Sequence, residues 1–93
     1  MVLIEFFGQE CPHCAAMKPL VEQLKQEEGI EIQQFEVWHS KENQEQMRSY
    51  ADVLAEACGG DLGVPAFINA ETKKSLCGEV DYETLKAWAK ESP

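Results

Sequence analysis

The chain has 93 residues, enough for one small domain spanning 1–93 and too few for a second. Hydrophobic residues make up 44 % and charged residues 27 %, proportions that suit a folded domain and exclude a disordered one. Eight basic side chains against 17 acidic ones give a net charge of −9, which repels phosphate backbones and anionic lipid heads, so no nucleic acid and no membrane is expected as a partner.

The run Val2-Leu3-Ile4-Glu5-Phe6-Phe7 is β-branched and aromatic and reads as a buried strand that stops at Gly8. It is too short for a membrane span, carries an acid and lacks the basic flank of a signal peptide, so the expected compartment is the cytoplasm. Pro12 suits the first position of a helix, where its fixed φ fits and its missing N–H costs nothing. Met17, Leu20, Val21 and Leu24 recur at i, i+3, i+4 and i+7, one apolar helix face, with Gly29 as the stop. Pro19 lies inside that pattern and predicts a kink. Ile30 to Trp38 is a second strand with broken alternation: Ile30 and Ile32 share one phase, Phe35 and Val37 the other. Either both faces are covered or the strand bulges.

Ser40 caps a further helix that sets Met47, Ala51, Leu54 and Cys58 on one face and ends at Gly59-Gly60. Ala66 to Asn69 and Lys74 to Cys77 read as two short strands joined by a polar turn around Glu71-Thr72. Asp81 caps a last helix with Leu85, Trp88 and Ala89 inward. Trp38, Trp88, Phe67 and Met47 are assigned to the core and His39 to the surface. The order β-α-β-α-β-β-α makes an α/β domain, a small mixed four-stranded sheet flanked by helices.

Chemistry concentrates at Cys11-Pro12-His13-Cys14, between the first strand and the first helix. This spacing brings two sulfurs one helical turn apart, within reach of a disulfide. Cys11 falls at the helix N-cap, where unpaired backbone N–H groups and the helix dipole favour a thiolate, the attacking species in disulfide exchange. A cationic or hydrogen-bonding His13 favours it further, whereas the charge of Glu10 opposes it. Cys14, shielded by the helix, is the candidate resolving thiol. Glu5 is an acid inside an apolar strand, a position that desolvates a carboxyl and fits it for proton transfer near neutrality.

The segment Ile4 to Cys14, with Pro19 beyond it, resembles the active-site segment of the thioredoxin-like superfamily. Val64-Pro65 is similar to that family's cis-proline loop, and Cys77-Gly78 to its groove-lining glycine before the last helix. The resemblance implies a thioredoxin-like fold and an enzyme that reduces protein or small-molecule disulfides through a Cys11/Cys14 dithiol. It implies Cys11 as nucleophile, Cys14 as resolving thiol, His13 as electrostatic helper and Glu5 as the buried acid. Pro12, Val64, Pro65, Cys77 and Gly78 would line the substrate site. Val64 would offer its backbone to an extended substrate strand, and a cis Pro65 would keep metal from the dithiol. No cofactor beyond the redox-active Cys11–Cys14 disulfide is implied. The implied partners are disulfide-bearing proteins and an electron-donating reductase or low-molecular-weight thiol, acting on a monomer. Gln34 stands where the family commonly has a strand lysine, and Gln9-Glu10 does not match the basic residue with which glutaredoxins hold glutathione.

Two alternatives stay open on the residues alone. A glutaredoxin-like module could bind zinc or an iron–sulfur cluster through Cys11, Cys14 and His13 or Cys58. Cys58 and Cys77 could be two inert thiols, the leading expectation, or a second disulfide, or a relay to Cys11.

Overall fold

The computed structural model describes residues 2–90. Its strands are β1 (Leu3–Phe7), β2 (Ile32–Glu36), β3 (Ala66–Asn69) and β4 (Ser75–Cys77), and its helices α1 (Pro12–Glu28), α2 (Lys41–Arg48), α3 (Ala51–Ala57) and α4 (Tyr82–Lys90). The strands form one mixed sheet in the order β2-β1-β3-β4, with β1 parallel to β2 and antiparallel to β3, and β3 antiparallel to β4.

Side chains alternate across a pleated strand, and here they feed two separate cores. Leu3, Ile32 and Phe67 pack with Met17, Val21, Leu24, Leu85, Trp88 and Ala89, so one sheet face is covered by α1 and α4. Ile4, Phe6, Ala66 and Ile68 pack with Val37, Met47 and Leu54, so the other is covered by α2 and α3. This resolves the broken alternation of the second strand: Ile32 serves the first core and Phe35 and Val37 the second. The pairing of β1 with β2 runs from Leu3↔Ile32 to Phe7↔Glu36 without a skipped residue, so both faces are used and no bulge is needed.

Capping follows the side chains that the termini require. Gly29 closes α1 at φ 66°, its N–H donating to the Lys25 carbonyl, and α1 continues through Pro19 as one helix. Ser40 Oγ accepts from the Asn43 N–H at the start of α2, and Asp81 Oδ1 accepts from the Thr84 N–H ahead of α4. The single helix expected between Ser40 and Gly59 is two, broken at Ser49-Tyr50. The Ser49 hydroxyl donates back to the Gln46 carbonyl there, the local competition with helical bonding that hydroxyl side chains offer.

The β3–β4 hairpin depends on a buried residue at the end of β3. Asn69 is fully buried, and its Oδ1 accepts from the N–H groups of Glu71 (2.8 Å) and Thr72 (3.1 Å). Replacing Asn69 by Ala removes both hydrogen bonds, so at about 0.5–1.5 kcal/mol each Asn69→Ala should lower unfolding free energy by about 1–3 kcal/mol in urea titration. A change within error would remove the turn from the list of stabilising features.

Candidate active site

Gly8 ends β1, and the chain turns there so that the Cys11 N–H donates to the Gly8 carbonyl at 3.1 Å. Cys11 is the N-cap of α1, with extended backbone (φ −82°, ψ 116°), and Pro12 opens the helix. The Cys14 N–H donates to Cys11 Sγ at 3.2 Å, and the Ala15 N–H donates to the Cys11 carbonyl at 3.0 Å. The first cysteine's sulfur thus occupies the position in which a capping oxygen usually satisfies an orphan helix N–H. Both cysteines are free thiols; Cys11 is 5 % exposed and Cys14 2 %. Burial first, then the hydrogen bond with Cys11, pushes the Cys14 thiol up to about 12, so near neutrality it keeps its proton until a base removes it.

Glu5 lies on the same face of β1 as Leu3 and is 1 % exposed. Its register partner on β2 is Gln34, whose Nε2 donates to Glu5 Oε1 at 2.8 Å. Gln34 therefore partners the acid as a neutral donor. Burial raises the Glu5 carboxyl from the ordinary 4.5 to about 7, against the opposing effects of the Gln34 bond and the Lys18 charge. Glu5 also bears electrostatically on Cys14, contributing to that thiol's upward shift.

Facing the dithiol, the Val64–Pro65 peptide bond is cis, and Cys11 Sγ stands 3.9 Å from the Val64 carbonyl oxygen, to which the thiol donates. The Gly78 N–H donates to the Pro65 carbonyl at 2.8 Å, and Gly78 adopts φ 90°, a conformation that favours glycine. Val64, Pro65, Cys77 and Gly78 are therefore joined around one loop that meets Cys11, and Pro12 follows Cys11 at the helix start.

The leading expectation for Cys58 and Cys77 is overturned: they form a disulfide, with Cα atoms 5.1 Å apart. Cys58 caps the C-terminus of α3 and Cys77 ends β4, so helix-on-sheet packing joins positions 19 apart in sequence. This removes Cys58 from the ligand set of the metal-binding alternative. Among the described residues no group of three or more His, Cys, Asp and Glu side chains is placed to hold a metal ion.

The charged side chains flanking the cysteines each pair with a residue from a distant segment. His13 Nδ1 donates to Glu79 Oε1 at 2.9 Å, at the surface. Glu10 is not a bare charge beside Cys11: His39 Nε2 lies 2.8 Å from each of its carboxylate oxygens. Trp38, expected in the core, is 48 % exposed and lies over Gly8, where an added Cβ would come within 2.3 Å of the indole. A strand-end aromatic reads as core by composition alone, and only the close approach permitted by Gly8 reveals its seat. Beside it, Val37, Trp38, Met47, Leu62, Gly63 and Val64 line an apolar cleft of about 150 Å³. Two larger hollows, of about 380 and 410 Å³, involve neither the 8–14 segment nor Val64-Pro65.

Among the described residues no helix is long and apolar enough to cross a membrane. No protein-family model matches the chain, and no curated protein matches it.

The raised Glu5 carboxyl has a signed consequence. Its proton is held to higher pH in the folded chain than in the unfolded one, so it makes stability fall as pH rises from about 4.5 through about 7. The shift corresponds to about 3 kcal/mol across that window. Urea unfolding of wild type and Glu5→Gln at pH 5 and pH 8 should show the variant gaining stability relative to wild type at the higher pH. Parallel pH dependences would mean that Glu5 is not held protonated.

Proposed function

We propose that the chain is a thioredoxin-like thiol–disulfide oxidoreductase whose redox centre is the Cys11/Cys14 dithiol. The observation that carries this reading is the Cys14 N–H bound to Cys11 Sγ at the first turn of α1, with the Val64 carbonyl facing the same sulfur. A sulfur so held sits at a helix N-terminus, where partial positive charge favours an anion.

The Cys11 thiolate attacks one sulfur of a substrate disulfide. A Cys11–substrate disulfide forms, and the second substrate sulfur leaves as a thiolate and takes a proton from water. Cys14 then gives up its proton and attacks Cys11 Sγ, forming the Cys11–Cys14 bond and releasing the first substrate sulfur. The substrate is reduced by two electrons and the dithiol is oxidised by two. Because burial holds the Cys14 thiol high, the second attack needs a base; Glu5, poised at about 7 and bearing on Cys14, supplies it. A substrate strand pairing with the Val64 backbone would set its disulfide across Cys11.

In the cytoplasm the net direction is reduction of protein or small-molecule disulfides, with the dithiol restored by a reductase or a low-molecular-weight thiol. There the Cys58–Cys77 bond persists only where its reduction is disfavoured against the thiol pool. The chain acts as a monomer in this reading.

Insulin reduction by dithiothreitol tests the assignment. Cys11→Ser should fall to the uncatalysed rate, and Cys14→Ser should accumulate a mixed disulfide at Cys11 with loss of turnover. Wild-type turnover by Cys11→Ser would overturn the reading.

A further inference from the structure

The segment that leaves β2 is folded back onto the residues preceding Cys11. The Glu36 carboxylate organises it by accepting three backbone N–H groups: Gln9 (2.9 Å) and Trp38 (3.0 Å) on Oε2, and His39 (2.7 Å) on Oε1. The Val37 N–H donates to the Phe7 carbonyl at 2.8 Å, which ties the same segment to the end of β1. With Trp38 seated over Gly8, the His39 ring reaches across to Glu10, the residue directly before the cysteine. The His39 backbone N–H is held by Glu36 while its ring meets both Glu10 oxygens, and a carboxylate gripped through both oxygens is oriented as well as paired.

We infer that His39, held in place by Glu36, is a positioning residue that pairs the Glu10 carboxylate and so keeps that charge from opposing an anionic sulfur on Cys11. The inference rests on Cys11 being the nucleophile. Unpaired, Glu10 would set a full negative charge one residue from Cys11 and disfavour the thiolate; paired with a cationic imidazole, the two cancel. His39 is faced by two acids, Glu10 and Glu36; Cys11 Sγ meets the Cys14 N–H and the Val64 carbonyl, and its sequence neighbours Glu10 and His13 are bonded to His39 and Glu79. The Glu10 hydrogen bond, then its charge, shifts the His39 imidazole upward, so the ring stays cationic to a higher pH than a free histidine. Glu36 sits below the ordinary carboxylate range: burial opposes ionisation, but the backbone donors from His39, Gln9 and Trp38 outweigh it.

The test is the rate of Cys11 alkylation by iodoacetamide in the fully reduced chain, resolved by peptide mass mapping between pH 5 and 9. His39→Gln should slow Cys11 at pH 7 by about two- to fivefold, the scale of one solvent-exposed ion pair, and move the midpoint of its rate–pH curve upward. Glu10→Gln should not slow it, the His39→Gln/Glu10→Gln double variant should match Glu10→Gln, and the His39→Gln deficit should shrink in 1 M salt. Unchanged alkylation in His39→Gln, or a double variant as slow as His39→Gln, overturns the inference, the latter because it marks a purely structural role. A wild-type Cys11 that alkylates no faster than Cys14 overturns the nucleophile assignment itself, and the inference with it.

Discussion

The hydrogen bond from the Cys14 N–H to Cys11 Sγ is the contact on which the site depends. A helix start leaves backbone donors without intrahelical partners, and side-chain oxygen usually answers them. Here sulfur does so. Cys11 Sγ then accepts one helix N–H while its thiol faces the Val64 carbonyl, and the second cysteine follows within one turn. The two buried cysteines differ in position: Cys11 caps the helix, whereas Cys14 is inside the first turn, its thiol pushed up to about 12.

The sheet supplies what the helix start cannot. Strand pleating sends Glu5 to the same side as Leu3, under α1 and α4, while Ile4 and Phe6 serve the opposite core. An acid in that layer is desolvated by the packing that stabilises the fold, and Gln34 opposite it offers a hydrogen bond without a neutralising charge. The result is a carboxyl near 7 that bears electrostatically on the Cys14 thiol. On the far side, the Cys58–Cys77 bond joins the end of α3 to β4, and the chain between Cys58 and β3 contains the Val64–Pro65 loop. The loop that faces Cys11 is thereby anchored at both ends by covalent and ladder contacts.

Most of the fold was legible because its signals are local. Pro12, Gly29, Ser40 and Asp81 act on the residues beside them, and each cap stands where the sequence put it. The cysteine motif was equally legible, since strand, glycine, motif and helix are contiguous. What escaped the sequence is set by contacts between distant segments. Glu36 reads as one acid among 17, yet it collects three N–H groups from two segments. Trp38 reads as core until Gly8 is seen beneath it, and Glu10 reads as an opposing charge until His39, 29 residues away, is brought to it. The Cys58–Cys77 pairing has the same origin: the glycines after each cysteine permit close approach, but only the packing of α3 on β4 requires it.

The central claim is that two sulfurs at one helix start exchange as a pair. A redox titration against dithiothreitol buffers, with mass-spectrometric mapping of every cysteine linkage, tests it most directly. The account predicts one two-electron transition in which Cys11 and Cys14 join to each other, separate from the transition that opens Cys58–Cys77. Cys11 and Cys14 that stay unjoined under oxidising buffer, or that join instead to Cys58 or Cys77, would contradict it.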